Sequence, residues 1–163
     1  PADIRTYAMV HLAYMLGLRP QEICTLTLDD ISFRRQELKV KDRKTKKPIK
    51  LPLPEEVIKA IAAYLVGVRP QSQYRALFLT LKAPYGPLTA NVVGYHITNC
   101  MRQAAPSSSA YWLRHTYAQN LLEAGVSIYE IKEMLGHDSI ESTKKYLHIH
   151  IKLMRKVLFD ETI

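Results

Sequence analysis

The sequence predicts an α+β domain that is mainly α-helical, with a small antiparallel sheet in its N-terminal third. Over most of the chain, apolar residues recur every three to four positions, which is the spacing of an amphipathic helix. Only around Asp29 to Lys50 do they alternate with polar residues, as in half-buried strands. The chain has 163 residues, enough for one well-formed core, so we expect a single domain over residues 1–163.

Two helices are predicted at the start of the chain. The first runs from Ala2 to Leu16, with Asp3 as its cap. Its expected inner face consists of Ile4, Ala8, Leu12, Met15 and Leu16. Pro20 suits the first position of a short second helix and keeps the residue before it out of the α region. Arg19 is therefore expected in a restricted turn, with Glu22 one turn on and close enough to orient its guanidinium. The alternative is an ordinary surface ion pair, which contributes little.

The predicted sheet and the next two helices follow. Three apolar pairs alternate as in half-buried strands: Ile31 and Phe33, Leu38 and Val40, and Ile49 and Leu51. The turn KDRKTKKP joins the last two strands. A helix then follows Pro54 and extends to about Val66, and another runs from Asn91 to Ala104. The inner face of the first of these helices is expected to consist of Ile58, Ile61, Ala62 and Leu65.

The stretch from Ser107 to His150 is predicted to form three short helical pieces joined by tight turns. Their expected starts are a cap at Ser109 or Ser108 and the capping boxes Ser127–Glu130 and Asp138–Glu141. Gly136 ends the second piece, so His137 lies in a two-residue hinge where a side chain can face a cleft. Arg114, His137 and Tyr146 lie on these pieces. A cation for phosphate oxygens, an imidazole for proton transfer and a hydroxyl nucleophile together suit attack on a phosphate.

The positive charge is concentrated in one segment. The formal net charge is +8, and nine basic and two acidic residues between Arg34 and Lys50 contribute +7 of it. Such a patch indicates a polyanionic partner, with DNA preferred over RNA and an anionic membrane third. The alternative is a solvated lysine-rich hairpin without a partner.

Composition points to a cytoplasmic protein. The sequence contains no apolar run long enough to span a membrane and no signal peptide. Cys24 and Cys100 are isolated, which favours buried free thiols in a cytosolic protein over a disulfide. The chain begins with Pro1 and no methionine, so we interpret it as a fragment or a trimmed form.

Several motifs at fixed spacings resemble one enzyme family. LRHTYA, followed by a glycine and by LGHDSIESTKKYLH, resembles the C-terminal half of the tyrosine recombinase (phage integrase) catalytic domain. GLRPQEICTLTLDDI resembles the first box of the same family. The resemblance implies that Arg19 and Arg114 are catalytic, that Glu22 supports Arg19, and that a lysine on the hairpin takes part. Lys44 is the best match for that lysine, and Lys46 is the alternative register.

The resemblance also implies a reaction. Two guanidiniums suit the non-bridging oxygens of a phosphodiester, Tyr146 attacks to form a 3′-phosphotyrosyl link, and Lys44 protonates the leaving 5′ oxygen. His137 hydrogen-bonds the phosphate. Neither a metal nor another cofactor is expected, and no small-molecule substrate. One position departs from the family pattern, because Tyr111 stands three residues before Arg114, where the family usually has histidine. Tyrosine can hydrogen-bond the phosphate or the nucleophile, but it is a poor base at neutral pH.

The expected partner is double-stranded DNA, with Arg43, Lys46 and Lys47 as phosphate contacts. Residues 151–159 form an amphipathic piece that either packs back on its own domain or docks on a neighbour. Relatives often exchange this tail between subunits, so the resemblance implies a homo-tetramer on DNA. The helical core-binding domain that precedes the catalytic domain in the family is not part of this chain. Two alternatives remain open: a type IB topoisomerase-like strand transferase, and an inactive DNA-binding relative that Tyr111 would explain.

Overall fold

The computed structural model describes residues 3–44 and 46–136, and it confirms an α+β fold that is mainly helical. Within these residues the helices are α1 (Ile4–Leu16), α2 (Pro20–Cys24), α3 (Glu55–Gly67), α4 (Ala90–Arg102), α5 (Ala110–Glu123) and α6 (Ile128–Leu135). The strands are β1 (Ile31–Ser32), β2 (Glu37–Val40) and β3 (Ile49–Pro52). The predicted hinge at His137 and the third helical piece towards Tyr146 lie outside the described residues.

The sheet is three-stranded and antiparallel, in the order β1-β2-β3. Leu38 pairs with Leu51 and Val40 pairs with Ile49, so the alternating apolar residues of β2 and β3 share one face. The prediction for Phe33 was wrong: β1 ends at Ser32, and Phe33 lies exposed in the turn that follows. The sheet thus forms a short hairpin whose far loop, residues 41–48, carries the predicted lysines.

Helix α1 is the centre of the core, packed against α3, α4 and α5. Its buried face differs from the predicted one: Ile4 is exposed, whereas Arg5, Met9 and Ala13 are buried. The helix is turned because Arg5 Nη1 donates to Leu79 O at 2.9 Å, which draws that side of the helix inward. Three helix neighbours also bury a wider face than a single apolar stripe predicts.

Helix α3 shows a similar shift of its inner face. The residues it buries are Val57, Ala60, Ile61 and Tyr64, while Ile58, Ala62 and Leu65 are only half-buried. The Tyr64 ring stacks on Phe78, with centroids 5.2 Å apart. The Tyr64 hydroxyl accepts a hydrogen bond from Leu79 N–H at 3.1 Å, and burial raises the pKa of Tyr64. This tyrosine therefore satisfies a backbone donor in the core.

Replacing Tyr64 with phenylalanine is expected to lower the free energy of unfolding by about 1–3 kcal/mol, because Leu79 N–H would stay buried without its acceptor. The ring and its stacking on Phe78 would be preserved. Urea unfolding followed by circular dichroism measures the change. Tyr74→Phe is the matched control, since Tyr74 is 46% exposed, and it should have little effect. Equal stability of both variants would contradict this role of the hydroxyl.

Local caps were predicted well. Asp3 accepts from Thr6 N–H at 2.6 Å, and the Ser127–Glu130 capping box opens α6. The α5 start is at Ser109, but its side chain makes no capping bond; Thr98 Oγ1 accepts from Ala110 N–H instead. No helix among the described residues is long and apolar enough to cross a membrane.

Candidate active site

A single buried carboxylate gathers three guanidiniums. Glu22 is 2% exposed, and its Oε1 lies 3.5 Å from Arg19 Nη1 and 3.7 Å from Arg43 Nε. Its Oε2 lies 3.7 Å from Arg114 Nη1. The three arginines come from the start of α2, from the β2–β3 loop and from α5. Three cations around one anion leave an excess of positive charge, which favours a further anion at this place.

Proline geometry sets the position of Arg19. The residue precedes Pro20 and has extended backbone, with φ −76° and ψ 153°, so it caps α2 instead of continuing it. Its N–H donates to Glu22 Oε2 at 2.8 Å, as the spacing of one helical turn predicted. Arg19 Nη1 makes no hydrogen bond to the described residues. A buried donor of this kind is costly unless an acceptor satisfies it, and a phosphate oxygen is such an acceptor.

Arg114 connects the ends of two helices. Its side chain is buried, Nη1 donates to Gly17 O, and Nη2 donates to Leu135 O. Gly17 is the C-cap of α1 and Leu135 is the last residue of α6. Carbonyl groups at helix C-termini carry partial negative charge, which suits a cation. These contacts fix the plane of the guanidinium beside Glu22.

The position of Gly17 allows α5 to approach closely. Gly17 has φ +64°, and a Cβ placed there would lie 2.3 Å from the ring of Tyr117 on α5. Glycine is therefore required both by the left-handed backbone and by the ring. The approach sets Arg114, three residues before Tyr117, against the end of α1.

Arg43 is placed differently from the prediction, which expected a DNA contact. It is 7% exposed, and Nη2 donates to Glu133 O at 3.1 Å and Met134 O at 2.6 Å. Burial lowers the pKa of Arg43, while the Glu22 carboxylate acts in the opposite direction. The guanidinium is turned into the protein and already bonded there, so the contacts that the structure shows for Arg43 are internal ones.

The predicted lysines lie on the surface of the same loop. Lys44, Lys46 and Lys47 are all exposed, and Lys46 N–H donates to Arg43 O at 2.9 Å across a tight turn. Lys44 follows directly after Arg43. The loop therefore places it next to the arginine cluster, which consists of Arg19, Arg43 and Arg114 around Glu22. An exposed cation adjacent to buried ones can reach an anion that the cluster attracts.

Tyr111 opens onto a cleft beside the cluster. It lies in the first turn of α5, is 64% exposed, and lines a cleft of about 580 Å³. Arg19, Tyr95 and Arg102 line the same cleft. The structure thus brings Arg19, Glu22 and Arg114 together, with Tyr111 on the rim. His137 and Tyr146 lie outside the described residues.

Comparisons with known proteins agree on one family. The sequence model described as "Phage integrase family" matches residues 1–152. "Putative integrase/recombinase y4gC" of Sinorhizobium fredii is 34% identical over 162 residues, which cover 98% of this chain and 84% of that protein. "Tyrosine recombinase XerD" of Corynebacterium glutamicum is 32% identical over 162 residues, covering 96% of this chain and 52% of that protein.

A solved structure supports the same grouping. The crystal structure of XerA recombinase is 25% identical, with a TM-score of 0.81, and the match covers 99% of this chain and 59% of that one. The chain spans about half the length of most of the curated relatives that it matches.

Proposed function

The chain belongs to the phage integrase family, and from that membership we propose that it is the catalytic domain of a site-specific DNA recombinase. In this proposal residues 1–163 form one domain that cleaves and rejoins double-stranded DNA through a 3′-phosphotyrosyl intermediate. The observation that carries it is the convergence of Arg19 and Arg114, from distant parts of the chain, on the single carboxylate of Glu22.

The arginines would stabilise the transition state. Attack on a phosphodiester builds negative charge on the two non-bridging oxygens, and planar guanidiniums match such a pair of oxygens. Glu22 and the carbonyls of Gly17 and Leu135 hold these groups in place before the substrate arrives. Charge that is already oriented needs no reorganisation during the reaction, and this is commonly the largest catalytic contribution.

The proposed bond changes balance as follows. The phenol of Tyr146 gives up its proton to water, its oxygen attacks the phosphorus, the bond to the 5′ oxygen breaks, and Lys44 donates the proton that this oxygen needs. His137 hydrogen-bonds the phosphate. Attack by a 5′ hydroxyl on the phosphotyrosine reverses these steps and rejoins a strand. The covalent link conserves the energy of the phosphodiester, so the step requires no ATP, and side-chain cations supply the positive charge.

The exposed loop is the proposed contact with the DNA backbone. Lys46 and Lys47 lie on its surface, beside Lys44, and are suited to neutralise phosphates. Binding through such contacts weakens steeply as salt rises. We further propose that the enzyme acts as a homo-tetramer on DNA, assembled by exchange of residues 151–159 between subunits.

Covalent trapping tests the proposed function. The probe is a pool of nicked DNA duplexes with a randomised segment, in which the short strand released by cleavage diffuses away and leaves the protein attached. The expected result is a covalent adduct that survives denaturation, together with enrichment of a preferred sequence. Tyr146→Phe should form none. If the wild-type chain binds this DNA but forms no adduct, the inactive DNA-binding relative is the correct reading.

Tyr111→His is expected to speed up adduct formation by about tenfold or more, since a positioned general acid or base contributes about 10²–10⁴-fold. The side chain lies on the rim of the cleft that Arg19 also lines, so an imidazole there would face the same cleft as a proposed catalytic arginine. Single-turnover rates on the selected duplex measure the effect. Tyr95→His, on α4 across the same cleft and equally exposed at 64%, is the matched control. Equal effects of the two changes would show that position 111 has no special role.

A further inference from the structure

We propose that Arg43 is a positioning residue for strand cleavage, which ties the loop carrying Lys44 to the C-terminal end of α6 and to Glu22. The inference rests on the proposed function, because it assigns Arg43 a role in that reaction. It concerns a side chain that does not itself touch the DNA.

The contacts of Arg43 join parts of the chain that are far apart in sequence. Its Nη2 donates to Glu133 O and Met134 O, which lie 90 and 91 residues further along the chain. Its Nε lies 3.7 Å from Glu22 Oε1. The guanidinium of Arg43 therefore connects the β2–β3 loop to the end of α6 and to the carboxylate of Glu22, which also holds Arg19 and Arg114.

Gly136 leaves room for this guanidinium because it has no side chain. The residue has φ +64°, and a Cβ there would lie 2.6 Å from Arg43 Nη2 and 2.8 Å from Arg43 Cζ. Any side chain at this position would push the guanidinium away. Gly136 directly precedes His137 in the sequence, so the contact of Arg43 lies next to a second residue of the proposed reaction.

A stabilising role alone is a poor explanation for a third buried arginine. Burial lowers the pKa of Arg43, and the neighbouring charge of Arg19 adds to that effect. Buried ion pairs can often be replaced by apolar residues without loss of stability. What an apolar side chain cannot provide is a planar set of donors that fixes two carbonyls and one carboxylate at once.

The contacts of Arg43 determine how Lys44 is held. It follows Arg43 directly, is exposed, and lies in a loop without regular structure. With Arg43 anchored, the backbone from which Lys44 extends is fixed relative to the arginine cluster. Without that anchor the loop can shift, and a displacement of about 1 Å can slow an enzyme roughly 100-fold. The step that suffers is proton donation to the leaving 5′ oxygen.

The test uses a duplex of the sequence that is enriched in the trapping experiment, and it compares two leaving groups. One is the ordinary 5′ oxygen, and the other is a 5′-bridging sulfur, which leaves as a thiolate without a proton. Arg43→Met is expected to slow single-turnover adduct formation about 10- to 100-fold with oxygen. With sulfur its rate should return to within a few-fold of the wild type. Lys44→Ala removes the proton donor completely, so it shows how much of the lost rate the sulfur substrate can restore. Arg75→Met is the matched control, because Arg75 pairs with Asp29 at the surface, away from the cluster.

Several outcomes would overturn the inference. A wild-type rate for Arg43→Met, or equal slowing with both leaving groups, would show that Arg43 does not act through Lys44. Arg43→Lys keeps a cation but not the planar fork, so it should show a smaller oxygen-specific loss, and it serves as the test if Arg43→Met fails to fold. If the wild-type chain forms no adduct with either substrate, the proposed function itself fails, and this inference with it.

Discussion

Arg114→Lys is expected to slow covalent-adduct formation by about 100- to 1,000-fold, the typical cost of losing one preorganised donor to a developing oxyanion. The arginine is anchored on both sides, by Gly17 O and Leu135 O, and lies beside Glu22. Lysine keeps the charge but has no planar fork, so it cannot hold both carbonyls and a phosphate in one geometry. Single-turnover rates at saturating DNA measure the effect on the chemical step.

Two comparisons make this result specific. Arg75→Lys is the control for the chemical change, since Arg75 makes an exposed pair with Asp29, and its rate should stay near that of the wild type. DNA affinity at fixed salt should fall much less than the rate, because the interaction is strongest in the transition state. An Arg114→Lys variant that cleaves at the wild-type rate would remove Arg114 from the reaction.

Glu22→Gln is expected to lower the free energy of unfolding by about 3–5 kcal/mol, the usual effect of breaking a buried ion pair by removing one partner. Three guanidiniums would then face one another with no carboxylate between them. The amide has nearly the shape of the carboxylate and can still accept from Arg19 N–H. A lower free energy of unfolding would therefore be due to the missing negative charge. Such a loss is a large part of the 5–15 kcal/mol that is roughly the total for a domain.

Urea unfolding measures this change, and Glu55→Gln provides the control. Glu55 pairs with Lys59 at 2.6 Å, but both side chains are largely exposed, so the same substitution there should alter stability little. If Glu22→Gln is as stable as Glu55→Gln, the carboxylate is not what holds the arginines together.

Local features of the fold were predictable because their causes lie within a few residues. Proline at the start of α2, the Ser127–Glu130 capping box and the glycine at the end of α6 each act on the nearest turn. The inner face of α1 was not predictable in the same way. Its rotation depends on Leu79 O, which accepts from Arg5 across 74 positions of sequence.

In the candidate site, too, the contacts between residues close in sequence were predictable, and those between distant residues were not. The pairing of Arg19 with Glu22 follows from a three-residue spacing after a proline turn. Arg114 was singled out by its residue type on the predicted helical pieces and by the resemblance of its motif, whereas its contacts with Gly17 O and Leu135 O depend on the fold. The internal contacts of Arg43 were not predicted, because one arginine in a run of basic residues carries no periodic pattern, and its partners at the end of α6 are brought to it only by the fold.

Mapping the covalent link tests the central claim most directly. The chain has ten tyrosines, and digestion of the trapped adduct followed by mass spectrometry identifies the one that carries DNA. The proposal predicts a single modified peptide, with Tyr146 joined to a 3′ phosphate. A link to a different tyrosine, such as the exposed Tyr111, or a link to a 5′ phosphate, would contradict it.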